Sequence, residues 1–486
     1  MKPVIVKRDE RTAETAGRTL SVRLALASLS LSMLLSSLGT SIANVGLPTL
    51  AHAFQASFQE VQWVVLAYLL AITTLIVSAG RLGDIIGRRR LLLAGIALFT
   101  LASVACGIAP SLWLLIAARA AQGIGAAIMM ALTMAFVGET VSKAKTGSAM
   151  GLLGAMSAIG TALGPSLGGV LIAGVSWRAI FLVNLPLGIL AFGLAYRALP
   201  ADRLGPKIDR AGFDTIGTLL LALTLAAYAL AMTMGRTFGV LNISLLLAAV
   251  IGVALFMRAE ASAVSPLIRL AMFHDLFLSA SLATSALVST VMMATLVVGP
   301  FYLSVALGLD AAGVGLVLSV GPLVVALAGV PAGRIADRFG ADRMTLVGLT
   351  GMAAGSFILS MMPARFGIPG YIAPIVVITL GYALFQTANN TAVMTDIRPD
   401  QRGVMSGMLN LSRNLGLISG ASVMGAVFAL ASATVDITTA SPDSVASGMR
   451  FTFAVAALLI VVALAIAVGG RALAARLLLP RDVSQA

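Results

Sequence analysis

The segment Gly80–Arg90 reads GRLGDIIGRRR, and Gly333–Arg343 reads GRIADRFGADR, with the same residue at five of eleven positions. The two segments lie 253 residues apart, and each separates two long apolar runs. Glycines permit a tight turn between helices, and the arginines suit a membrane surface that carries lipid phosphates. A segment repeated at this spacing predicts a chain built from two similar halves.

The composition identifies the class of protein around this repeat. The 486 residues are 59% hydrophobic and 10% charged, whereas about a quarter of the residues of a soluble protein are charged. A helix needs about 20 mostly apolar residues to cross a bilayer. The sequence therefore predicts an all-α integral membrane protein with fourteen spans. They fall near residues 23–46, 61–79, 91–109, 112–137, 147–173, 179–198, 213–233, 240–257, 277–303, 312–332, 345–362, 371–393, 405–432 and 451–470.

The position of the repeat groups these spans. Each copy follows the second span of a half. The spans before and after it cross the membrane in the same directions in both halves, so the halves are predicted to be parallel six-helix repeats. Two spans remain in the centre, which gives a 6+2+6 arrangement. The predicted segments are an N-terminal tail (1–22), a six-helix bundle (23–199), a linker with two extra helices and an interfacial segment (200–275), a second six-helix bundle (276–470) and a C-terminal tail (471–486).

The basic residues predict the orientation. Of 32 Lys and Arg residues, 26 lie in the tails and in alternate loops on the same side, four lie in the opposite loops, and Arg119 and Arg413 lie within spans. Basic loops face the cytoplasm, so both termini are expected to be cytoplasmic, in a plasma membrane such as the inner membrane of a bacterium. The formal charge of +13 then indicates contact with anionic lipids and not with nucleic acid.

The first copy of the repeat resembles the loop motif G-x-L-x-D-x-x-G-R-[KR] of the major facilitator superfamily. The matching residues are Gly80, Leu82, Asp84, Gly87, Arg88 and Arg89. Fourteen spans resemble the drug:proton antiporter branch of that superfamily, whose members have two six-helix bundles. The resemblance implies that this loop, together with Asp337 and Arg338 of the second copy, latches the two halves in an outward-open state.

The fourth span contains LLIAARAAQGIGAA, which resembles a second motif of the family through Arg119, Gln122 and Gly123. Arg119 and Gln122 are three residues apart and share a helix face. A charged side chain within a span usually meets a cavity or a partner because its desolvation is costly. The resemblance implies a role in proton coupling or substrate binding, while snorkelling of Arg119 to the membrane surface is the alternative.

The fifth span contains GTALGPSLGG, which resembles the antiporter motif of the family. Its glycines and proline are Gly160, Gly164, Pro165, Gly168 and Gly169. The small residues permit close helix contact and the proline interrupts the helical hydrogen bonds, so this segment is a candidate hinge. The resemblance links it to export. Ordinary packing of small residues is the alternative.

Polar residues in three further spans are candidates for lining a cavity or binding substrate. The first span ends in LGTSIANVGLP, where Ser41 and Asn44 match a family motif but Gly39 replaces its usual acid. The twelfth span carries Gln386, Asn389 and Asn390, which are costly against lipid unless they meet partners or water. For Ser41 and Asn44 helix packing is an equal alternative, and for Arg413 in the thirteenth span snorkelling is one.

These features predict a secondary transporter that works without a cofactor or enzymatic activity. The sequence has no Walker, G-x-S-x-G or H-E-x-x-H motif, and a single cysteine, Cys106, excludes a Cys-rich metal site within one chain. We expect a monomer that exports small amphipathic or hydrophobic molecules by alternating access, with protons as the coupling ion that the resemblance implies. Arginines without a mid-span acid favour neutral or anionic substrates. A facilitator, an antiporter for another ion, and a non-transporting sensor or scaffold are the alternatives.

Overall fold

The fold is entirely helical across the described part of the chain. The computed structural model describes residues 4–140, 146–202, 214–233, 239–263, 275–395, 402–432 and 440–478, together with 266 and 273. Fourteen helices in it are long and apolar enough to span a membrane. The predicted fold class and number of spans are therefore confirmed.

The helices are numbered here by span. Their bounds are α1 Val4–Val45, α2 Phe58–Ile86, α3 Arg88–Ile108, α4 Leu112–Thr140, α5 Thr146–Gly174, α6 Asn184–Ala198 (preceded by Ala179–Leu182), α7 Thr215–Thr233, α8 Val240–Ser262, α9 Leu276–Phe301, α10 Ala311–Phe339, α11 Ala341–Met361, α12 Gly367–Thr395, α13 Arg402–Ser419 and α14 Pro442–Leu478. Single π-helical turns extend α9 through Tyr302–Ala306 and α13 through Gly420–Met424.

The first and last helices are longer than the apolar spans within them, which are Val22–Val45 and Pro442–Gly470. Helix α1 begins at Val4, well before the predicted start of the first span, and α14 continues to Leu478. The parts of these two helices that lie outside the apolar spans are rich in Ala, Arg, Glu and Leu, which favour helix over coil. The predicted interfacial segment before α9 lies mostly outside the described residues.

Two turns show the internal repeat in three dimensions. Gly87, between α2 and α3, has φ +109°, and Gly340, between α10 and α11, has φ +88°. These two glycines occupy equivalent positions of the repeat, 253 residues apart. Side chains other than glycine are strained at such φ values, so the same sharp turn is built by the same residue in both halves.

The helices pack as two bundles with an extra pair at their side. In the first half α1 packs on α5 and α6, and α4 packs on α2 and α3; in the second half α12 packs on α10 and α11, and α9 packs on α13 and α14. Helix α5 meets α10 and α2 meets α13 across the boundary between the halves. These four helices therefore form the main contacts between the halves.

The extra pair is anchored through α7. The hydroxyl groups of Ser78 and Thr218 lie 2.8 Å apart, and the Trp63 indole N–H donates to the Thr233 hydroxyl at 3.0 Å, which joins α2 to α7 at both ends. The Tyr228 hydroxyl lies 3.0 Å from the Ser419 hydroxyl of α13. Helix α7 thus touches both halves, whereas α8 packs on α7 and exposes most of its apolar side chains.

Candidate functional site

The two halves meet at one end of the bundle and separate at the other. The terminal end is the one at which α1 begins and α14 ends, and the opposite end is called distal. At the distal end Phe58 packs edge-on against Phe301 and Phe428, with ring centroids 4.7 and 5.6 Å apart. The Gln62 amide donates to the carbonyl oxygen of Ala421 at 3.1 Å. These contacts close the distal end across the boundary between the halves.

A cavity of about 300 Å³ lies between the halves on the terminal side of this closure. Its walls come from α1, α2, α4 and α5 of the first half and from α9, α10, α12 and α13 of the second. A Cβ atom placed at Gly154 or Gly329, which both border the cavity, would meet no atom within 4 Å. Both glycines lie in the parts of α5 and α10 nearer the terminal end. The cavity therefore extends toward the terminal end, and the protein is in a state closed at the distal end.

The cavity wall is mainly apolar with a few polar side chains. Ser41, Gln386 and Arg413 of the predicted set line it. Ser37, on the same face of the first span as Ser41, also lines it, while residues that sequence reasoning missed include Ser157, Tyr371, Tyr382 and Asn414. Asn414 directly follows Arg413 in an apolar span, and that polar pair was the one available signal for it.

Two other predicted lining residues face elsewhere. Asn44 is fully buried beside the cavity and donates through its amide to the carbonyl oxygen of Thr40 at 3.0 Å. Asn389 borders a separate small cleft inside the second half, next to Thr284 and Thr345. The amide of Gln386 reaches the Asn390 side chain at 3.5 Å. Asn389, less than one helix turn from the cavity-facing Gln386, therefore faces its own bundle.

Arg119 belongs to a buried network inside the first half. Its side chain is 0% exposed. Its Nε donates to the carbonyl oxygen of Val64 at 2.8 Å, and one terminal nitrogen donates to the Gln122 side chain at 2.5 Å. Gln122 in turn donates to the Ser103 hydroxyl at 2.7 Å. Neither Arg119 nor Gln122 lines the cavity, so in this state both join α2, α3 and α4 and neither reaches the space between the halves.

Tyr68 lies close both to Arg119 and to Gly39, the position at which the family motif carries an acid. The guanidinium carbon of Arg119 lies 4.1 Å from the centre of the Tyr68 ring. The Tyr68 hydroxyl donates to the carbonyl oxygen of Ser36 at 2.7 Å, and it would lie 2.9 Å from a Cβ atom at Gly39. An aromatic face stabilises a buried cation. The replacement of the usual acid by Gly39 is therefore matched by a cation–π partner from α2.

The candidate hinge makes two kinds of contact. Cβ atoms placed at Gly160, Gly164 and Gly168 would all crowd α1 of the same half. A Cβ atom at Gly169 would instead lie 2.5 Å from the carbonyl oxygen of Ala311 and 3.0 Å from Cα of Gly315, both on α10 of the other half. Pro165 lies inside α5, and its carbonyl oxygen also approaches Gly315. Three glycines thus seat α5 on α1, and Gly169 brings the halves together.

The predicted latch loop is held within the first half in this state. The Asp202 carboxylate accepts the backbone N–H of Arg89 at 2.7 Å and of Arg90 at 3.1 Å, which caps the start of α3. Arg89 also donates to the carbonyl oxygen of Tyr196. The side chain of Asp84 lies outside the described residues.

Three further residues of the predicted latch lie beside open space. Gly80 would meet no atom within 4 Å if it carried a Cβ atom, and Asp337 and Arg338 are exposed at the terminal end. Open space around these positions agrees with halves that are separated at this end. Sequence reasoning missed Asp202, because it lies more than one hundred residues from the arginines whose N–H groups it caps.

Comparisons with known proteins agree with this architecture. Among curated proteins, the chain is 33% identical over 386 residues to the uncharacterized transporter YebQ of Escherichia coli, covering 79% of this chain and 84% of that protein. It is 33% identical over 416 residues to the multidrug resistance protein Stp of Mycobacterium tuberculosis (83% and 76%) and 31% identical over 396 residues to the riboflavin transporter RibZ of Clostridioides difficile (81% and 86%).

A solved structure shares the fold. The inward-facing, unoccupied structure of a bacterial homolog to the human lysosomal transporter Spinster superimposes with a TM-score of 0.65 at 15% identity, covering 93% of this chain and 97% of that chain. The family model described as Major Facilitator Superfamily matches residues 29–421. Two six-helix bundles around a shared cavity, together with this match over most of the chain, place the protein in the Major Facilitator Superfamily of membrane transporters.

Proposed function

We propose that the protein exports small amphipathic or hydrophobic molecules from the cytoplasm across the plasma membrane by alternating access. The observation that carries this proposal is the cavity between the halves, which is closed at the distal end and extends toward the terminal end. In the orientation that the basic residues predict, the terminal end faces the cytoplasm. The cavity is then in position to load substrate from inside the cell.

The cavity wall supports an amphipathic substrate. Side chains such as Met130, Met292 and Met293 give it an apolar, adaptable surface, while hydroxyl and amide groups offer hydrogen bonds. Its volume lies at the lower end of the range for small-molecule sites, which is about 300 to 1,000 Å³. The similarity to the multidrug resistance protein Stp supports the export of drug-like small molecules. Because one chain supplies all the walls, we propose that a monomer is the working unit.

The outward step follows from the contacts at the distal end. Export requires the aromatic contacts around Phe58 and the contact between Gly169 and Gly315 to separate while the terminal ends of the halves approach. Helix α7, which is bonded to α2 and α13, lies along the boundary about which the halves would rock. The latch loop would meet the other half only after this movement, as the resemblance implies.

Two energy sources are candidates for this cycle. Proton antiport is the one that the family resemblance implies. Transport without proton exchange is favoured by one observation: no Asp or Glu stands among the described residues that line the cavity. A buried carboxylate is the usual proton carrier within a membrane.

The export proposal is tested with everted membrane vesicles, whose cytoplasmic face is outside. We expect vesicles that contain the protein to accumulate compounds from a panel of amphipathic fluorescent dyes, while vesicles without it do not. Collapse of the pH gradient by nigericin is expected to change the initial rate less than twofold, because the described cavity lining has no proton carrier. A rate that falls tenfold or more with the gradient would establish proton coupling, and a panel without any accumulated compound would contradict export.

A further inference from the structure

The cavity wall holds three hydrogen-bond donors that have no partner among the described residues. Arg413 lines the cavity, and no described residue forms an ion pair or a hydrogen bond with its guanidinium. Asn414, next to it, is 6% exposed, and its amide nitrogen has no hydrogen-bond partner among the described residues. Tyr371 lines the cavity from α12, is 1% exposed, and its hydroxyl is also unpartnered in the described structure. All three groups are free to bind an acceptor that the described part of the chain does not supply.

The charge carried by the described cavity wall is positive. The described cavity lining contains a single charged side chain, Arg413, and it contains no carboxylate. An unpaired cation in mainly apolar surroundings is costly, and so is a buried donor without an acceptor. Arg119, the other arginine within a span, also has one terminal nitrogen without a hydrogen-bond partner among the described residues, but it does not line the cavity, and backbone, amide and aromatic groups contact the rest of its guanidinium. Arg413 is therefore the point of the cavity at which a negative group on a ligand makes the free energy of binding most favourable.

Resting on the proposed export function, we propose that the preferred substrates are amphipathic organic anions. The anionic group binds Arg413 and Asn414, and the apolar body lies against the wall formed by side chains such as Ile72, Leu296 and Ile375. A guanidinium presents paired N–H groups that match the oxygens of a carboxylate, sulfonate or phosphate. The hydroxyl of Tyr371, on the same helix as Gln386 and nearer its distal end, offers a second hydrogen bond to the body of the substrate.

This substrate class also accounts for a cavity without a proton carrier. An anion that leaves a cell with a negative interior moves down the membrane potential. For one charge, a potential of common bacterial size supports a concentration ratio on the order of tens-fold. Export of an anion therefore needs no exchange of protons, and the transport step moves net charge across the membrane.

The proposal is tested by binding to the purified full-length protein in detergent. Three probes share one aromatic body: naphthalene-1-sulfonate, which is permanently anionic, naphthalene-1-sulfonamide, which is neutral, and (1-naphthylmethyl)trimethylammonium, which is cationic. Isothermal titration calorimetry is expected to show the sulfonate binding at least tenfold more tightly than the sulfonamide and the cation. Equal affinities for the three, or a preference for the cation, would overturn the proposal.

Variants assign the effect to Arg413. Arg413→Gln is expected to weaken sulfonate binding at least tenfold and sulfonamide binding less than twofold, and Arg413→Lys to retain part of the sulfonate affinity. Arg365→Gln is the matched control, because it removes the same charge from an exposed residue that does not line the cavity. An equal loss of affinity for all three probes in Arg413→Gln would show that Arg413 has a structural role and does not bind the anionic group. If everted vesicles accumulate cationic or neutral dyes while the purified protein does not bind the sulfonate, the proposal of anionic substrates is contradicted and the proposed export function stands.

Discussion

Replacing Gly169 with valine is expected to reduce export at least tenfold. Gly169 lies where α5 meets α10, with Ala311 and Gly315 so near that an added side chain has no space. Neither neighbour can turn away, because the contacting atoms belong to the backbone. The valine would hold the distal ends of the two halves apart, so the state with a cavity open at the terminal end would be lost.

Gly174→Val is the control for this change. Gly174 lies on the same helix, and a Cβ atom there would meet no atom within 4 Å. The two variants therefore carry the same residue change in α5 and differ only in the contact with α10. Initial export rates in everted vesicles at equal protein amounts compare them. If Gly169→Val transports within twofold of the Gly174→Val control, the contact does not close the distal gate.

Replacing Arg119 with glutamine is expected to destabilise the protein by about 2 to 4 kcal/mol, because buried hydrogen bonds to a charged group are lost and their partners stay buried. The carbonyl oxygen of Val64 and the Gln122 side chain would lose their donor, and Tyr68 would lose its cation. The melting temperature of the purified protein measures the effect. Arg119→Lys is expected to lower the melting temperature nearly as much, since an ammonium group cannot bridge both acceptors in the geometry of a guanidinium.

Arg413→Gln provides the comparison. Arg413 makes no hydrogen bond or ion pair with a described residue, so its replacement is expected to leave the melting temperature within about 2 °C of the original while it changes ligand binding. The two arginines of the spans would thus separate into one that holds the first half together and one that faces substrate. An Arg119→Gln protein with unchanged stability and lost transport would instead support a direct role of Arg119 in coupling or binding.

The architecture could be predicted from sequence because it depends on local signals. Apolar runs of sufficient length define spans, and the turn at Gly87 and its counterpart Gly340 marks the two halves. Even the division between α3 and α4, marked in the sequence only by Ala109, Pro110 and Ser111, is present in the structure. Each of these features depends on residues close together in the chain.

The candidate site was harder to predict because it depends on how helices are rotated against one another. Gln386 and Asn389 are separated by less than one helix turn, yet one faces the cavity and the other faces its own bundle. Helical periodicity places residues on a common side of a helix but does not state which neighbour that side meets. For the same reason the sequence showed Arg119 to be in a span without showing that Tyr68 and Val64, on α2, surround it.

Alternating access is tested most directly by distances measured at both ends of the same protein. In a Cys106→Ser background, which has no other cysteine, spin labels are placed at the exposed residues Ile86 and Phe339 of the terminal end, or at Val175 and Phe366 of the distal end. Pulsed electron–electron double resonance of the transporting protein in lipid is expected to show two populations of distances for each pair. When the terminal pair moves closer on addition of a transported compound, the distal pair moves apart by a comparable amount. Two distances that change in the same direction, or a single population at both ends in a protein that transports, would contradict the account.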